Sequence, residues 1–292
     1  MHFTKVKGIL SSKNGMNLFR GCTHGCIYCD SRSKCYQMNH KFEDVEVKEN
    51  GISLLEESLK RKRKKCMIGL GSMTDPYIKE ELGLNYTRQA LEIINKFGFG
   101  VTLITKSANV LRDLDLLKEI NSKAKCVIQM TLTTYDEELC KKIEPNVSTT
   151  KERVEALKIL RDEGIPTVVW LTPILPFIND TEGNIIGILN YCKEAKVFGI
   201  ICFGMGVTLR EGNREYFYSH LDKKFPKLKE RYMREYGNNY VANSVNNKKL
   251  MGIFHEFCEW NSIVHDNDVI FNYLNLFEGR DISKQLSFFN LI

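Results

Sequence analysis

The chain has 292 residues, of which 43% are hydrophobic and 27% are charged, a balance that excludes disorder over most of its length. The length fits one α/β barrel of about 200 to 250 residues with an appendage, and it argues against three comparable domains. The net charge of +6 is concentrated in residues 1–65, which hold 14 basic and seven acidic side chains.

The sequence shows no sign of membrane insertion or export. No apolar run approaches the roughly 18 residues of a membrane-spanning helix, and the first seven residues contain no signal-peptide core. We therefore expect a cytoplasmic protein with no membrane partner. In such a chain the ten cysteines are expected to be buried side chains, metal ligands or nucleophiles rather than disulfides.

A first strand is predicted at residues 16–19, and a cysteine-rich loop follows it. Cys22, Cys26 and Cys29 are spaced C-x3-C-x2-C, so one loop can direct three thiols at one point. Three thiolates on a 4Fe-4S cluster leave one iron open, whereas a structural zinc needs a fourth protein ligand. Because the sequence has no second C-x2-C pair, the pattern favours an open 4Fe-4S cluster.

The neighbours of these cysteines leave alternatives open. Gly21 and Gly25 suit a chain that wraps tightly around a cluster. His24 is interpreted as a hydrogen-bonding residue within the wrap, and the zinc alternative would recruit either His24 or Cys35. If Cys35 does not bind zinc, we expect it to be a ligand of a second site, a hydrogen-atom donor or a buried thiol.

The open iron predicts a second cofactor, S-adenosylmethionine (SAM), held through its amino and carboxylate groups. One electron from the reduced cluster cleaves the S–C5′ bond of SAM, and the resulting 5′-deoxyadenosyl radical abstracts a hydrogen atom from a substrate. The electron would come from a protein reductant such as flavodoxin or ferredoxin.

A helix is predicted at residues 51–65, and its last five residues, 61–65, are all basic. Cations are favoured at the C-terminus of a helix, so a solvated helix end explains this run. Contact with a polyanion is the alternative.

From residue 66 to residue 204, apolar runs alternate with segments of helical period, which predicts repeated βα units and a parallel sheet. Asn85 and Asp180 are predicted helix N-caps, and Gly98 and Gly164 are predicted to end helices. The continuous apolarity of the runs indicates burial on both faces. The five predicted strands cover residues 66–70, 101–104, 126–130, 167–171 and 198–202.

The pattern changes after this point. Residues 205–292 are mainly helical in period and rich in tyrosine. We expect them to form an extension that packs on the open side of a first domain, residues 1–204. Base stacking by the tyrosines is the alternative role.

Polar residues follow the predicted strands, at the edge where the active sites of βα barrels lie. A zwitterionic ligand with a ribose needs a carboxylate, a cation and hydroxyl groups. Asp75 with Thr74 is assigned to the SAM ammonium group, and Lys106 to its carboxylate. Thr131 or Thr133 is assigned to the ribose, and Glu144 to the ribose edge. Tyr28 is assigned to the adenine or acts as a plug over the cluster, and Ser72 is a further predicted cofactor contact.

Five segments carry a resemblance to a known family: residues 20–33, 74–77, 105–107, 143–145 and 173–180. The sequence resembles the radical SAM proteins related to spore photoproduct lyase, described as DNA repair photolyase-like, over about residues 14–265. The resemblance implies a partial (β/α)6 TIM-type barrel with SAM across the strand ends, to which the sequence pattern adds a mainly helical C-terminal extension.

The resemblance does not extend to the hydrogen donor of the lyase. Met73 stands where the lyase has a cysteine, and Ala242 and Val245 stand where relatives often have cysteine and proline. The leading hypothesis is a radical SAM enzyme that acts on nucleic acid, and the second is one that acts on a peptide or small metabolite. A cluster-bearing electron carrier or sensor, or a zinc-stabilised binding module, is the hypothesis from another class.

Overall fold

A computed structural model describes residues 1–280, in which short strands alternate with helices. The strands are β1 (His2–Thr4), β2 (Gly15–Met16), β3 (Phe19–Arg20), β4 (Glu46–Lys48), β5 (Met67–Leu70), β6 (Gly100–Thr105), β7 (Cys126–Thr131), β8 (Thr167–Trp170), β9 (Gly199–Ile201), β10 (Gly206–Thr208) and β11 (Val241–Asn243). The helices are α1 (Gly51–Arg61), α2 (Glu81–Leu84), α3 (Tyr86–Lys96), α4 (Leu114–Lys123), α5 (Glu137–Ile143), α6 (Thr150–Asp162), α7 (Glu182–Glu194), α8 (Asn213–Lys224), α9 (Leu228–Tyr236), α10 (Asn247–Trp260) and α11 (Asn267–Asn275).

The main sheet has six strands in the order β2-β5-β6-β7-β8-β9, and every neighbouring pair is parallel. Strand β2 pairs with β5 but not with β9 within the described residues, so the barrel is partial. This confirms the predicted α/β fold, because each apolar run from residue 66 onward contains one strand of the sheet.

The first predicted strand is shorter than expected. Only Gly15 and Met16 pair with β5, whereas Phe19 and Arg20 pair with β4 in a separate three-stranded sheet. The chain therefore leaves the barrel after Met16 and enters a second small sheet immediately before the cysteine loop. An apolar run of four residues carries no signal for such a change of sheet.

Several helix ends also differ from the prediction. Helix α1 ends at Arg61, so the remaining basic residues form a loop, where Lys65 Nζ donates to the carbonyl of Phe97 at 2.5 Å. Thr181 rather than Asp180 caps α7 through its hydroxyl. Asn85 holds the predicted N-cap position of α3, but in a left-handed conformation and without a side-chain cap, and the buried carboxylate of Glu81 accepts the first amides of that helix instead.

The two faces of the main sheet pack against different elements. Ile128, Val169 and Ile200 belong to the large core that the sheet shares with its surrounding helices. Their neighbours Val127, Val168 and Ile201 face the opposite side and contact Ile270 and Leu274 of α11. The strands are therefore buried on both faces, as their continuous apolarity indicates.

The C-terminal extension contains strands as well as helices. Strands β10 and β11 form an antiparallel pair, and helices α8 and α9 lie between them in the sequence. Phe217, Leu221 and Tyr232 of these helices share a hydrophobic cluster with Cys26 and Tyr28. The extension thus packs on the cysteine loop itself; the part of its predicted range after residue 280 lies outside the described residues.

Within residues 1–280, no helix combines the length and the apolarity needed to cross a membrane.

The entry to the cysteine loop depends on a glycine. Gly21 has φ +87°, and a Cβ atom at this position would lie 2.4 Å from the carbonyl oxygen of Phe42. We predict that Gly21→Ala costs about 1–3 kcal/mol of stability from backbone strain alone and reduces iron incorporation, because the loop shifts away from Phe42. Thermal unfolding and iron content measure these effects.

The matched control is Gly83→Ala. Gly83 lies in α2 with open space around its Cα, and no strain is expected from an added methyl group. Equal stability and iron content in the two variants would contradict the prediction.

Candidate active site

A cavity of about 590 Å³ opens at the carboxyl edge of the main sheet. Its volume lies within the range of about 300 to 1,000 Å³ that is usual for small-molecule sites. Residues after β5, β6 and β8 form part of the wall, and β10 and β11 contribute the side opposite them. The predicted site residues that line it are Cys22, Cys26, Tyr28, Cys29, Ser72, Asp75, Lys106 and Thr131.

The cysteine loop is held against the segment that follows α5. Ile27 N donates to Ile143 O at 3.0 Å, and Asn146 N donates to His24 O at 3.1 Å. The side chain of Asn146 donates to Thr23 O at 2.8 Å. These bonds fix the loop on both sides of Cys26, so the positions of the thiols depend on a segment more than 100 residues away.

The approach of the two segments requires a second glycine. Gly25 has φ +68°, and a Cβ atom there would lie 3.1 Å from Cγ of Pro145. The glycine therefore permits both the left-handed turn and the close contact with residues 145 and 146.

The donor set fits a polynuclear cluster better than a single zinc ion. All ten cysteines are free thiols, and three of them converge on one cavity. A structural zinc ion closes a tetrahedron with four protein ligands, and the exposed Cys35, which the described wall does not include, offers no fourth sulfur beside these three. Three thiols at one cavity suit an iron–sulfur cube whose fourth iron stays open.

The thiols lie in a buried environment with one nearby cation. Burial raises the pKa of Cys22 to about 12 and raises that of Cys26 well above its ordinary value. The charge of Lys106 lowers the pKa of Cys26 and so opposes the effect of burial. Burial would lower the pKa of Lys106, but the negative charge of Glu144 and the charge that Cys26 carries as a thiolate outweigh it and raise the pKa. The amine therefore stays protonated beside the thiols.

Asp75 has a structural role that the sequence does not predict. One carboxylate oxygen accepts from Tyr77 N at 2.8 Å and from the hydroxyl of Thr105 at 2.7 Å. The other oxygen accepts from the backbone N–H of Lys106 at 2.6 Å, and His24 Nδ1 lies 3.6 Å from it. The carboxylate thus joins the ends of β5 and β6, and its assignment to the SAM ammonium group stays a prediction.

Glu144 is placed behind the cavity wall and not on it. Its side chain and that of Arg153 are fully buried, and they form an ion pair. The hydroxyl of Tyr28 also donates to Glu144, and Arg153 donates to Thr131 O at 2.6 Å. Burial disfavours the charged carboxylate, but the charges of Arg153 and Lys106 hold its pKa below the ordinary value. Glu144 therefore fixes Tyr28 from behind the wall, and its expected contact with the ribose edge stays a prediction.

The other predicted hydroxyl contacts fall into two groups. Ser72 and Thr131 line the cavity, as a ribose contact requires. Thr133 is buried beside Glu144, with 3.4 Å between its hydroxyl and the carboxylate. The hydroxyl of Thr74 is buried without a hydrogen-bond partner in the described residues. Neither Thr74 nor Thr133 is part of the wall formed by residues 1–280.

Cys35 lies apart from the three other cysteines. It is exposed, its sulfur is 3.5 Å from Nη1 of Arg210, and the described wall of the cavity does not include it. It is therefore not the buried thiol of the sequence-based interpretation, and its proposed role as a fourth zinc ligand has no geometric support.

Sequence reasoning missed four residues of this site. Asn17 accepts from the backbone amides of Met73 and Thr74 and so orients the loop after β5. Arg153 lies near the start of α6, where an arginine normally signals a solvated face. Trp170 and Phe203 also line the cavity; Trp170 belongs to an apolar run and Phe203 directly follows one, and neither run gave a sign of a functional role.

A partial parallel barrel with a cysteine triad at its carboxyl edge defines a class of cluster-bearing enzymes. The family model of the Radical SAM superfamily matches residues 16–189, and the chain belongs to this superfamily. Membership makes the protein an enzyme and implies a 4Fe-4S cluster, SAM and an external reductant. Membership in the superfamily favours a radical SAM enzyme over the electron carrier, the sensor and the zinc-stabilised module.

Relatives with similar sequences are uncharacterized proteins. One from Methanocaldococcus jannaschii is 33% identical over 229 residues, which cover 78% of this chain and 81% of the relative. One from Mycobacterium tuberculosis is 27% identical over 232 residues, which cover 76% of this chain and 66% of the relative.

Solved structures with a similar fold include two variants of spore photoproduct lyase. One has a TM-score of 0.61 at 15% identity and covers 90% of this chain and 80% of the lyase chain. Another, with bound AdoMet and dinucleoside spore photoproduct, has a TM-score of 0.56 at 15% identity and covers 85% of this chain and 74% of that chain. At this identity the likeness shows a shared fold.

Changing any one of Cys22, Cys26 and Cys29 to alanine is expected to abolish stable iron incorporation after anaerobic reconstitution, because two thiolates hold the cluster poorly. Iron content and visible absorbance measure the loss. Cys66→Ala is the matched control, since Cys66 precedes β5 at the opposite edge of the sheet. Full iron content in any one of the three alanine variants would show that the corresponding thiol is not a ligand.

Proposed function

We propose that the protein cleaves SAM in the 590 Å³ cavity and that the resulting radical abstracts a hydrogen atom from a nucleic-acid substrate. The observation that carries the proposal is the convergence of three cysteines and one lysine on this cavity. A 4Fe-4S cluster with an open iron supplies the binding point for SAM and the electron that cleaves its S–C5′ bond.

The residues of the chain supply binding, orientation and exclusion of water. Cys22, Cys26 and Cys29 would hold the cluster on the loop side of the cavity. Lys106 provides a cation for the SAM carboxylate, and its position is fixed because its own backbone N–H is bonded to Asp75. The ring of Tyr28 also lines the cavity, and its centroid lies 5.9 Å from Lys106 Nζ.

The hydroxyls of Ser72 and Thr131 are proposed to contact the ribose. Both residues line the cavity, and they follow or end different strands of the sheet. Strand ends give a more rigid placement than a free loop would, which suits a cosubstrate that must be held in one orientation.

An aromatic surface at the mouth of the cavity supports a substrate with flat rings. Phe203 lines the cavity and is 63% exposed. Its ring centroid lies 6.1 Å from that of Trp170 and 6.3 Å from that of Phe271, and both neighbours keep it in place. A nucleobase can stack on such a supported ring, with about 1–3 kcal/mol per base.

The basic residues 61–65 do not support nucleic-acid binding at this site. They precede β5, which begins at Met67, whereas the cavity residues Gly71 and Ser72 follow its end. The basic run therefore lies at the amino edge of the sheet, opposite the cavity. This placement argues against a polyanion contact of the basic run at the cavity.

SAM cleavage tests the first part of the proposal. Anaerobically reconstituted protein with a reductant and SAM is expected to form 5′-deoxyadenosine. Lys106→Met is expected to weaken SAM binding about tenfold to a hundredfold, the value of one charge-assisted hydrogen bond. Equilibrium binding of SAM and product formation are measured in parallel.

Lys64→Met is the control, because it removes an exposed lysine at the opposite edge of the sheet. Unchanged SAM affinity in the Lys106 variant would overturn the assignment of the carboxylate contact. Absence of 5′-deoxyadenosine from the cluster-loaded wild-type protein would overturn the proposed cleavage.

The stacking surface is tested with a single-stranded DNA oligonucleotide. We expect Phe203→Ala to weaken its binding by about fivefold to a hundredfold, because one base loses its stacking partner. Trp260→Ala removes a 93% exposed aromatic side chain outside the cavity and is expected to have no effect. Equal affinity of the wild type and the Phe203 variant, or a peptide product in untargeted analysis after turnover, would contradict the nucleic-acid assignment.

A further inference from the structure

A second group of metal-ligating side chains lies near the N-terminus. His2, His40 and Asp44 each offer one ligand atom, and these three atoms lie within 4.8 Å of one another. The two imidazole centroids are 4.8 Å apart with the rings nearly perpendicular. His2 Nδ1 lies 3.0 Å from Asp44 Oδ2. Within residues 1–280 this is the one group of its kind.

The hydrogen bonds of His40 leave one nitrogen available. Its Nδ1 lies 3.0 Å from the backbone oxygen of Lys41, which only accepts, so Nδ1 carries the proton and donates it. Its Nε2 is buried and has no hydrogen-bond partner in the described residues. Metal-binding histidines characteristically donate one ring N–H to a carbonyl and present the other nitrogen to the metal.

The surroundings of this nitrogen are electronegative. Glu46 Oε2 lies 3.5 Å from His40 Nε2, so a lone pair faces a carboxylate without a cation between them. Asp44 Oδ1 is oriented by the N-terminal ammonium group at 2.7 Å. Two imidazoles with one carboxylate and a second carboxylate nearby form a set of borderline ligands that suits a zinc ion.

We propose that His2, His40 and Asp44 bind one zinc ion. Three protein ligands leave a fourth tetrahedral position for water or for an oxygen of Glu46. The site is separate from the cysteine cavity, because none of its three residues is part of the described cavity wall.

The location gives the ion a structural role. His2 lies on β1, and His40 and Asp44 lie on the segment that leads to β4, the strand with which β1 pairs. Between these two ligands, Phe42 O accepts the backbone N–H of Cys22 at 3.0 Å. An ion that binds β1 to residues 40–44 would therefore brace the segment on which the first cluster cysteine rests.

The test uses protein with its cluster already reconstituted, so that the cysteine site is filled. Zinc is titrated anaerobically against a chromophoric chelator, and zinc and iron per chain are measured after desalting. We expect one zinc per chain in the wild type and in His255→Ala, which removes an exposed imidazole elsewhere. His40→Ala and Asp44→Asn are expected to weaken zinc binding at least tenfold without a change in iron content.

Thermal unfolding gives a second readout. Zinc is expected to raise the unfolding midpoint of the wild type by a few degrees and to leave that of the His40 and Asp44 variants unchanged, because a ligand stabilises only the state that binds it. A wild-type protein that binds no zinc under these conditions would overturn the proposal. Equal zinc affinity in the wild type and both variants would overturn it as well.

Discussion

The cysteine loop has almost no regular structure of its own, so its position depends on the buried Glu144–Arg153 ion pair and the hydrogen bonds around it. Taking two charges out of water costs several kcal/mol per ion, and a buried pair is stable only when further hydrogen bonds satisfy both groups. Here Tyr28 donates to Glu144, and Thr131 O accepts from Arg153. Because Tyr28 lies between Cys26 and Cys29, the ion pair connects the loop directly to β7 and α6. Backbone hydrogen bonds with residues 143 and 146 then hold the rest of the loop in position.

Hydrogen bonds to a carboxylate also explain the position of Lys106. Asp75 follows β5, and its carboxylate accepts hydrogen bonds from the end of β6, where Lys106 begins the next loop. A carboxylate that is satisfied by backbone and hydroxyl donors holds two strand ends together at a fixed separation. The lysine is then presented to the cavity from a rigid support, and its charge lies beside Cys26, where burial alone would leave the thiols without a compensating cation.

The sequence predicts the parts of the fold that depend on local pattern. Apolar runs give β5 to β9, and the cysteine spacing gives the three residues that line the cavity, because these signals come from neighbouring residues. The roles of Glu144, Asp75 and Arg153 could not be predicted, because each depends on a partner brought close only by the folded chain. Glu144 and Arg153 are nine residues apart on opposite sides of a helix start, and no periodicity marks them as a pair. The change of sheet after Met16 was missed for the same reason, since its partner strand β4 lies 30 residues later.

The barrel and the extension differ in sequence composition, but in the structure they share one hydrophobic cluster. Composition changes at about residue 205, but the hydrophobic cluster around Tyr232 includes Cys26 and Ile27 from the loop and Leu175 from the barrel. Strands β10 and β11 also form part of the cavity wall. The loop is therefore enclosed between two units, and it gains its burial only when both are folded. It follows that the extension is part of the site, since without it the apolar face of the loop beside Cys26 would be exposed to water.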